Sequence, residues 1–258
     1  MLIDSVRRRV VQAVHRRLLP SPVLARHMEY SMLYSEDDSP SAPSDLLTNI
    51  SLEAIACARH ISLEDVSHRL GGRFRYPDSV VNLWPGEHYR LLAGLVQVLR
   101  PKTVIEIGTA EGLSALAMLK YLPVDGQIIT FDLVPWADYP RSCLTSEDFQ
   151  NGKLRQILGD LGQAEVFESH RDLLAGASLI FIDAAKDGVL ERNLINSFES
   201  LSFAASPIFV FDDIRLWNML RIWRELQWPK LDLTSFGHWC GTGICELPYN
   251  SAVSKGRQ

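Results

Sequence analysis

The sequence has few cysteines, no long apolar run and no excess of positive charge. Its four cysteines are Cys57, Cys143, Cys240 and Cys245. They form no Cys-x-x-Cys pair and no zinc-binding spacing, so we expect free thiols in a reducing, cytoplasmic compartment. No segment approaches the roughly 18 consecutive apolar residues of a membrane-spanning helix, and no secretory signal is visible. The net charge of −5 disfavours nucleic acid as a partner and leaves a small molecule as the expected substrate.

The sequence also lacks the Gly-x-Gly-x-x-Gly spacing of dinucleotide-binding folds. Residues 104–114 instead read Val-Ile-Glu-Ile-Gly-Thr-Ala-Glu-Gly-Leu-Ser, an apolar strand pattern that breaks at Gly108 and continues beyond Gly112 as a helical pattern. Gly108 permits a tight turn. Gly112 lets a helix begin beside a ligand, with its free N–H groups close to electron-rich atoms. Because no space is cleared for a pyrophosphate, this loop favours an adenosyl ligand without phosphates over NAD.

The alternation of patterns along the chain predicts the fold class. Strands are predicted at 102–107, 127–132, 154–158, 178–182 and 207–211, and helices between and around them at 87–99, 112–121, 145–151, 161–170, 187–199 and 215–226. This order indicates an α/β fold with a Rossmann-like, doubly wound and mostly parallel sheet. Two final strand-like runs, Leu231–Phe236 and Gly243–Leu247, have no helix between them and predict a C-terminal antiparallel hairpin at the sheet edge.

The segment before this core is interpreted as an N-terminal helical accessory or lid region. It spans residues 1–80, with helical patterns at 3–19, 21–33, 51–59 and 62–70 and a loop at 35–44, and is followed by the main domain at 81–250 and a flexible tail at 251–258. The helix at 3–19 is basic and amphipathic. Its apolar stripe suits packing on its own domain, a homodimer contact or, as an alternative, docking at a membrane surface.

Acidic residues follow each of the later strands. Ligands of open α/β sheets lie beyond the carboxyl ends of the strands, so we expect Asp132 to accept hydrogen bonds from the two hydroxyls of a ribose. Gly159 and Asp160 end the third strand, where they either receive an adenine amino group or, for Asp160, cap the following helix. Both roles are compatible.

A second set of carboxylates follows the last two parallel strands of the pattern. If these strands are neighbours, Asp183, Asp212 and Asp213 converge. Clustered carboxylates repel one another unless a cation intervenes, and oxygen ligands suit Mg²⁺, with Mn²⁺ or Ca²⁺ as alternatives. The competing interpretation is that these aspartates only cap helices. Lys186 lies beside them and takes a substrate proton if its pKa is lowered near a metal and a cationic ligand. His88 and His238 receive no role.

Taken together, these motifs resemble the class I S-adenosylmethionine-dependent methyltransferases, and among them the cation-dependent O-methyltransferases of catechol and caffeoyl-CoA type. The segment from Glu106 to Gly112 is similar to their first motif, and Phe181 to Lys186 and Phe211 to Trp217 are similar to their two metal motifs. The resemblance implies S-adenosylmethionine as cofactor, with Asp183 and Lys186 as catalytic residues. The implied cofactor-binding residues are Glu106, Gly108, Thr109, Gly112, Ser114, Asp132, Gly159, Asp160 and Asp183.

The sequence departs from this family at Asp213, where the catechol enzymes usually carry Asn. An Asp-Asp pair resembles the antibiotic-sugar O-methyltransferases instead, so the acceptor hydroxyl remains open among phenolic, sugar and polyketide small molecules. Three alternatives to a metal-assisted enzyme stay open: a methyltransferase of the same fold without metal, a nicotinamide-dependent oxidoreductase, and a non-catalytic binding protein. Chelator titration and cofactor binding distinguish them.

Overall fold

The computed structural model describes residues 41–71 and 80–248. The predicted helices at 3–19 and 21–33, most of the predicted loop at 35–44 and the tail at 251–258 lie outside the described residues, as do the homodimer contact and the membrane-surface docking considered for the first helix. Within the described ranges, no helix is both long enough and apolar enough to pass through a membrane.

A seven-stranded sheet forms the centre of the described part of the chain. Its strands are β1 Thr103–Ile107, β2 Gln127–Asp132, β3 Leu154–Leu158, β4 Leu179–Ile182, β5 Ile208–Asp212, β6 Lys230–Asp232 and β7 Thr242–Glu246. They are ordered β3-β2-β1-β4-β5-β7-β6. The first five strands are mutually parallel, whereas β7 is antiparallel to both β5 and β6. The predicted Rossmann-like sheet with a C-terminal antiparallel hairpin is therefore confirmed.

Helices cover both faces of this sheet. They are α1 Asp45–Ala58, α2 Glu64–Arg69, α3 Tyr89–Leu99, α4 Leu113–Tyr121, α5 Ser146–Phe149, α6 Ala164–Ser169, α7 Arg171–Ala175, α8 Leu190–Glu199 and α9 Met219–Glu225. On β1, Val104 packs with the cluster that contains α1 to α4, and Ile105 packs with the cluster that contains α6 to α9. This alternation is the period of two that a strand imposes on its side chains.

The helices before residue 71 share the core of the sheet. Leu47 of α1 and Leu63, just before α2, are fully buried and belong to the same apolar cluster as Leu91 and Val104. Ser44 caps α1, since its Oγ accepts a hydrogen bond from the Leu47 N–H at 3.0 Å. The part of the predicted accessory region that the structure describes therefore contributes to the main core rather than forming one of its own.

Several predicted elements differ from the observed ones: α1 begins at Asp45 rather than at 51, and the strand predicted at 231–236 ends at Asp232. Two further helices differ near the site. The helix predicted at 161–170 is shorter, because α6 begins only at Ala164 and ends at Ser169, where His170 has non-helical angles (φ −115, ψ 12) and separates α6 from α7. The helix predicted at 215–226 begins only at Met219, because the preceding loop contains two non-glycine residues with positive φ, Asp213 at 58° and Trp217 at 45°. Such residues end regular helical geometry. This loop carries one of the predicted site residues.

Candidate active site

The two glycines of the loop between β1 and α4 are required by their surroundings. Gly108 has φ +102, and a Cβ atom there would lie 2.0 Å from the carbonyl oxygen of Asp183. Gly112 has φ +80, and its Cβ would lie 2.3 Å from Cγ of Leu144. Both positions combine a backbone conformation that side chains rarely adopt with insufficient space for one. Gly108 therefore brings the loop directly against the end of β4.

A cleft of about 650 Å³ opens where β1 to β4 end at their carboxyl edge. Its lining includes five of the residues predicted to bind the cofactor, namely Gly108, Asp132, Gly159, Asp160 and Asp183. Apolar side chains such as Leu133 and Leu161 complete its walls. The remaining predicted cofactor residues, Glu106, Thr109, Gly112 and Ser114, do not line this cleft. The cleft lies at the position where open α/β sheets bind ligands.

Asp132 organises the floor of this cleft. One carboxylate oxygen accepts the N–H groups of Thr109 at 2.8 Å and Ala110 at 3.0 Å, and the other accepts those of Leu133 at 2.7 Å and Val134 at 3.0 Å. A carboxylate offers about four acceptor positions, so a ribose hydroxyl there would share them with the backbone. In this structure Asp132 holds the glycine loop and the end of its own strand in place.

Asp160 forms a local turn rather than the predicted helix cap. Its Oδ1 accepts the N–H of Gly162 at 2.8 Å and its Oδ2 accepts from the Gln163 side chain at 3.2 Å, whereas α6 begins only after Gln163. An aspartate that accepts the N–H two residues ahead makes an Asx-type turn. This turn keeps Gly159 and Asp160 on the wall of the cleft, where the adenine role predicted for them remains a prediction.

Glu106 lies behind the glycine loop and is completely buried. Ser114 donates a hydrogen bond to its Oε1 at 2.5 Å, while its Oε2 has no hydrogen-bond partner among the described residues. Burial raises the pKa of Glu106 to about 7, against the opposing effect of the Ser114 hydrogen bond. Glu106 and Ser114 thus tie β1 to the first turn of α4, and the free oxygen is a candidate acceptor for a polar group.

Lys186 links two of the three predicted metal-binding aspartates. Its ammonium contacts the Asp183 carboxylate and lies 3.2 Å from Oδ2 of Asp213. Burial opposes the charge of Lys186, but the charge of Asp183 and the hydrogen bond to it outweigh burial and raise the pKa of Lys186. The lowered pKa predicted for Lys186 applies when a metal and a cationic ligand are bound, and it stays a prediction. Without them Lys186 is the counter-ion of Asp183 and Asp213.

Two histidines complete the cluster around the aspartates. His88 is 3% exposed, with Nδ1 3.3 Å from Oδ1 of Asp212. His238 lies with Nδ1 3.4 Å from the same oxygen and 3.2 Å from Oδ1 of Asp213, and its Nε2 lies 3.4 Å from Glu87. Burial disfavours the charge on His238, but Asp212 and Asp213 together raise its pKa to about 10. Burial also opposes ionisation of Asp212, yet both imidazoles hold its pKa well below the usual range.

The aspartates therefore do meet at one edge of the sheet, as the strand order predicts. The cluster contains three sets of potential metal ligands, and within each set the ligand atoms lie within 4.8 Å of one another. The sets are His88 with Asp183 and Asp212, His238 with Asp213 and Cys240, and His238 with Glu87 and His88. Each set mixes carboxylates with imidazole nitrogen. The predicted aspartate trio is thus distributed over sets that include histidines, and Lys186 joins two of its members.

The capping interpretation of these aspartates does not match the contacts of the described residues. The N–H groups that precede α8 donate to Asp187 and Glu191 instead of Asp183. In the described part of the chain, the side chains of Asp212 and Asp213 accept no hydrogen bond from the backbone N–H groups before α9. The Leu216 N–H donates to the backbone carbonyl of Asp213 instead. Their side chains serve the cluster.

Sequence reasoning missed the contribution of the two histidines, Glu87 and Cys240. Glu87 and His88 immediately precede α3, and His238 and Cys240 belong to the loop before β7. Burial raises the pKa of Glu87 and, to about 11, that of Cys240, with the nearby aspartates adding to the effect on Cys240. In the sequence these polar residues are only seen to lie just before α3 and just before β7. The sequence does not show where these two elements lie relative to the ends of β4 and β5.

Residues 80–201, just under half of the chain, match the family model described as O-methyltransferase. No curated protein matches the chain. The solved structures to which it is similar include an SAH-bound methyltransferase of Podospora anserina, at 17% identity and TM-score 0.49, covering 85% of this chain and 100% of that one.

Two further solved structures show the same level of similarity. A structure titled as a putative caffeoyl-CoA O-methyltransferase of Staphylococcus aureus is 18% identical, with TM-score 0.49 and coverage of 78% of this chain and 100% of that one. An O-methyltransferase of Bacillus cereus in complex with SAH is 17% identical, with TM-score 0.47 and coverage of 80% and 92%. The match at 80–201 contains the glycine loop, strands β1 to β4 and Asp183, so this segment of the chain is similar to the O-methyltransferase family.

Proposed function

We propose that this protein is a cytoplasmic S-adenosylmethionine-dependent O-methyltransferase that transfers a methyl group to a hydroxyl of a small molecule with the help of a divalent cation. One observation supports the proposal most directly. Asp183 lines the cleft beside the glycine loop and also belongs to the carboxylate and histidine cluster. A ligand in the cleft and an acceptor at the cluster would therefore meet at a single residue.

The proposed cofactor site uses the cleft as it stands. The glycine loop brings backbone close to the ligand, Asp132 faces the ribose, and Gly159 with Asp160 faces the adenine. Glu106 and Ser114 support the loop from behind through their hydrogen bond. Oε2 of Glu106 has no hydrogen-bond partner among the described residues. Methyl transfer requires the sulfonium carbon and the acceptor oxygen to be held in line, and the rigid loop between β1 and α4 supplies that positioning.

The residues of the cluster fit a divalent cation. Oδ1 of Asp212 and Oδ1 of Asp213 are buried, and they lie near imidazole nitrogens without accepting a hydrogen bond from any described residue. Buried carboxylate oxygens of this kind are stabilised by a positive ion. We assign Asp183, Asp212 and Asp213 as its ligands, with Mg²⁺ as the expected ion and Mn²⁺ or Ca²⁺ as alternatives. When bound, such an ion lowers the pKa of the acceptor hydroxyl as a Lewis acid.

Lys186 takes the role of a charge partner in this proposal. Its ammonium lies between two of the proposed ligands, so it neutralises carboxylates when no other cation does. A base role requires the ammonium to leave these carboxylates and lose its raised pKa. In the assembled site Lys186 would accept the proton of the acceptor hydroxyl only after its ammonium has left these carboxylates and lost its own proton to solvent, while Asp183 orients the acceptor side of the cleft.

A metal-independent methyltransferase is the second candidate, and the cation content of the cluster favours it. Lys186, His88 and His238 together offer up to three positive charges to the three aspartates. Such a cluster is neutral without a metal ion. In that case the histidines, rather than a bound ion, would stabilise a developing acceptor oxyanion. The nicotinamide-dependent alternative is disfavoured by the match of residues 80–201 to an O-methyltransferase family.

The deciding experiment separates cofactor binding from transfer. Binding of S-adenosylhomocysteine is measured by calorimetry with and without chelator, and transfer is measured with labelled S-adenosylmethionine against phenols, sugars and polyketides. We expect chelator and Asp183→Asn each to lower transfer at least tenfold while cofactor binding persists in chelator. The control is Asp125→Asn, an exposed turn residue. Full transfer in excess chelator would leave only the metal-independent enzyme, and absence of cofactor binding would remove both.

A further inference from the structure

His88 is the least expected member of the cluster. Its ring lies directly before α3, 3% exposed, with centroid distances of 4.4 Å to Tyr89 and 5.3 Å to Phe181. These two rings fix the orientation of the imidazole. Its Nδ1 lies 3.3 Å from Oδ1 of Asp212, and ligand atoms of His88, Asp183 and Asp212 lie within 4.8 Å of one another.

The polar atoms of His88 lack the partners that a structural histidine normally has. Neither ring nitrogen has a hydrogen-bond partner among the described residues, and neither does Oδ1 of Asp212. A buried polar group without a partner costs about 1–3 kcal/mol, and most such groups in folded proteins are paired. A cation bound by one imidazole nitrogen and the carboxylates would satisfy that nitrogen and Oδ1 of Asp212 together. The unpartnered imidazole of His88 is an observation separate from the clustering of the three aspartates.

We propose that His88, Asp183 and Asp212 form a mixed nitrogen and oxygen site for a divalent first-row transition metal. Imidazole favours cobalt, nickel and zinc over magnesium, which prefers oxygen ligands and keeps its water. This assignment replaces Asp213 of the proposed aspartate trio by His88 as the third ligand, and Asp213, in contact with Lys186 and His238, supports the site by charge. The inference rests on the cation-binding part of the proposed function and is independent of methyl transfer, since it concerns which atoms hold the ion.

Metal binding to the cofactor-free protein tests the assignment. Calorimetry measures Co²⁺ and Mg²⁺ affinity for the wild type, His88→Asn, Asp183→Asn and the control His68→Asn, which alters an exposed histidine of α2. We expect His88→Asn to weaken Co²⁺ binding at least tenfold and Mg²⁺ binding less than threefold, Asp183→Asn to weaken both, and the control to change neither. Equal loss of both metals in His88→Asn, or no loss of Co²⁺ binding, would overturn the assignment.

A spectroscopic measurement does not depend on the folding of the His88 variant. Pulsed electron paramagnetic resonance of Mn²⁺ bound to the wild type and to His238→Asn is expected to show nitrogen coupling in both, because the coupled nitrogen belongs to His88. Coupling that is absent from the wild type, or lost in His238→Asn, would refute the role of His88. If none of the ions binds at all, both this inference and the cation part of the proposed function fail, while transfer measured in chelator still tests the methyltransferase.

Discussion

Replacing Lys186 by methionine should reduce stability and strengthen metal binding at the same time. The ammonium contacts Asp183 and lies 3.2 Å from Asp213, so it occupies the side of the cluster on which a cation would approach. Methionine keeps most of the apolar length of the side chain and removes the charge. The variant therefore leaves two carboxylates without their counter-ion while changing little of the packing.

The structure sets the size of both effects. The side chains of Lys186, Asp183 and Asp213 are 16%, 27% and 9% exposed. Removing one partner of a buried ion pair costs about 3–5 kcal/mol, and partial exposure reduces this to about 2–3 kcal/mol. At about 2–4 °C per kcal/mol for a chain of this size, Tm should fall by about 4–12 °C.

Metal affinity should move in the opposite direction. A divalent ion about 4 Å from an ammonium is repelled by about 8 kcal/mol at an effective dielectric constant of about 20, an upper limit that side-chain movement and water reduce strongly. Even a residual about 1.4 kcal/mol corresponds to a tenfold change in Kd. We therefore expect Lys186→Met to bind divalent cations at least tenfold more tightly than the wild type.

The assay combines thermal unfolding in chelator with metal titration of both proteins. Lys120→Met is the matched control, because the Lys120 pair with Asp65 is exposed, at 33% and 63%, and should contribute less than about 1 kcal/mol. A Lys186→Met protein as stable as this control, with unchanged metal affinity, would refute the view that Lys186 compensates the cluster. A loss of stability without tighter metal binding would show that the ammonium and the metal occupy separate places.

Two further predictions concern the loop behind the cleft. Gly108→Ala should lose at least about 2 kcal/mol more stability than Gly152→Ala and should abolish S-adenosylhomocysteine binding in calorimetry. Gly152 also has positive φ, at +71, but nothing lies within 4 Å of a Cβ there, so Gly152→Ala costs only backbone strain of about 1–2 kcal/mol. Equal losses of stability in the two variants would contradict the close approach of Gly108 to Asp183. Burial raises the pKa of Glu106 to about 7 in the folded protein. Its contribution to the free energy of unfolding is therefore fully present below about pH 4.5 and is lost as the pH rises to about 7. The change is up to about 3 kcal/mol. Urea unfolding should therefore show Glu106→Gln gaining stability relative to the wild type between pH 5 and pH 8, whereas a constant difference would mean that the carboxyl is not perturbed by burial.

Most of the fold follows from patterns that the sequence displays locally. Strands β2 and β3 have the predicted bounds, 127–132 and 154–158, because apolar runs there are bordered by turn residues. The late start of α6 at Ala164 was not predictable, since 161–170 carries a continuous helical pattern and the turn at Asp160 depends on its side-chain contact to the Gly162 N–H. The late start of α9 depends on the positive φ values of Asp213 and Trp217, which tertiary contacts impose on residues that do not favour them.

The candidate site was predictable only where it depends on strand order. Residues that end neighbouring parallel strands must lie together, and this places Asp183 beside Asp212. His238 depends instead on β7 lying between β5 and β6, with Asp212 opposite Thr242. A hairpin pattern predicts two antiparallel strands but not which of them pairs with the preceding sheet. His88 depends on the packing of α3 against that same edge, which no local pattern encodes.

The backbone, more than the charges, determines where the cluster lies. Lys186 and Asp213 both have φ +58, a conformation that costs a non-glycine residue about 1–3 kcal/mol and persists only where the surroundings enforce it. Glu191, 1% exposed, accepts the N–H groups of Lys186 and Gly188 at 2.8 Å each, and the backbone after Asp213 donates to the carbonyl of Gly241 at 3.2 Å. These contacts do not involve the ammonium or the aspartate side chains. The backbone that presents Asp183, Lys186 and Asp213 is therefore held by contacts that do not depend on whether the ammonium of Lys186 or a bound cation neutralises the aspartates.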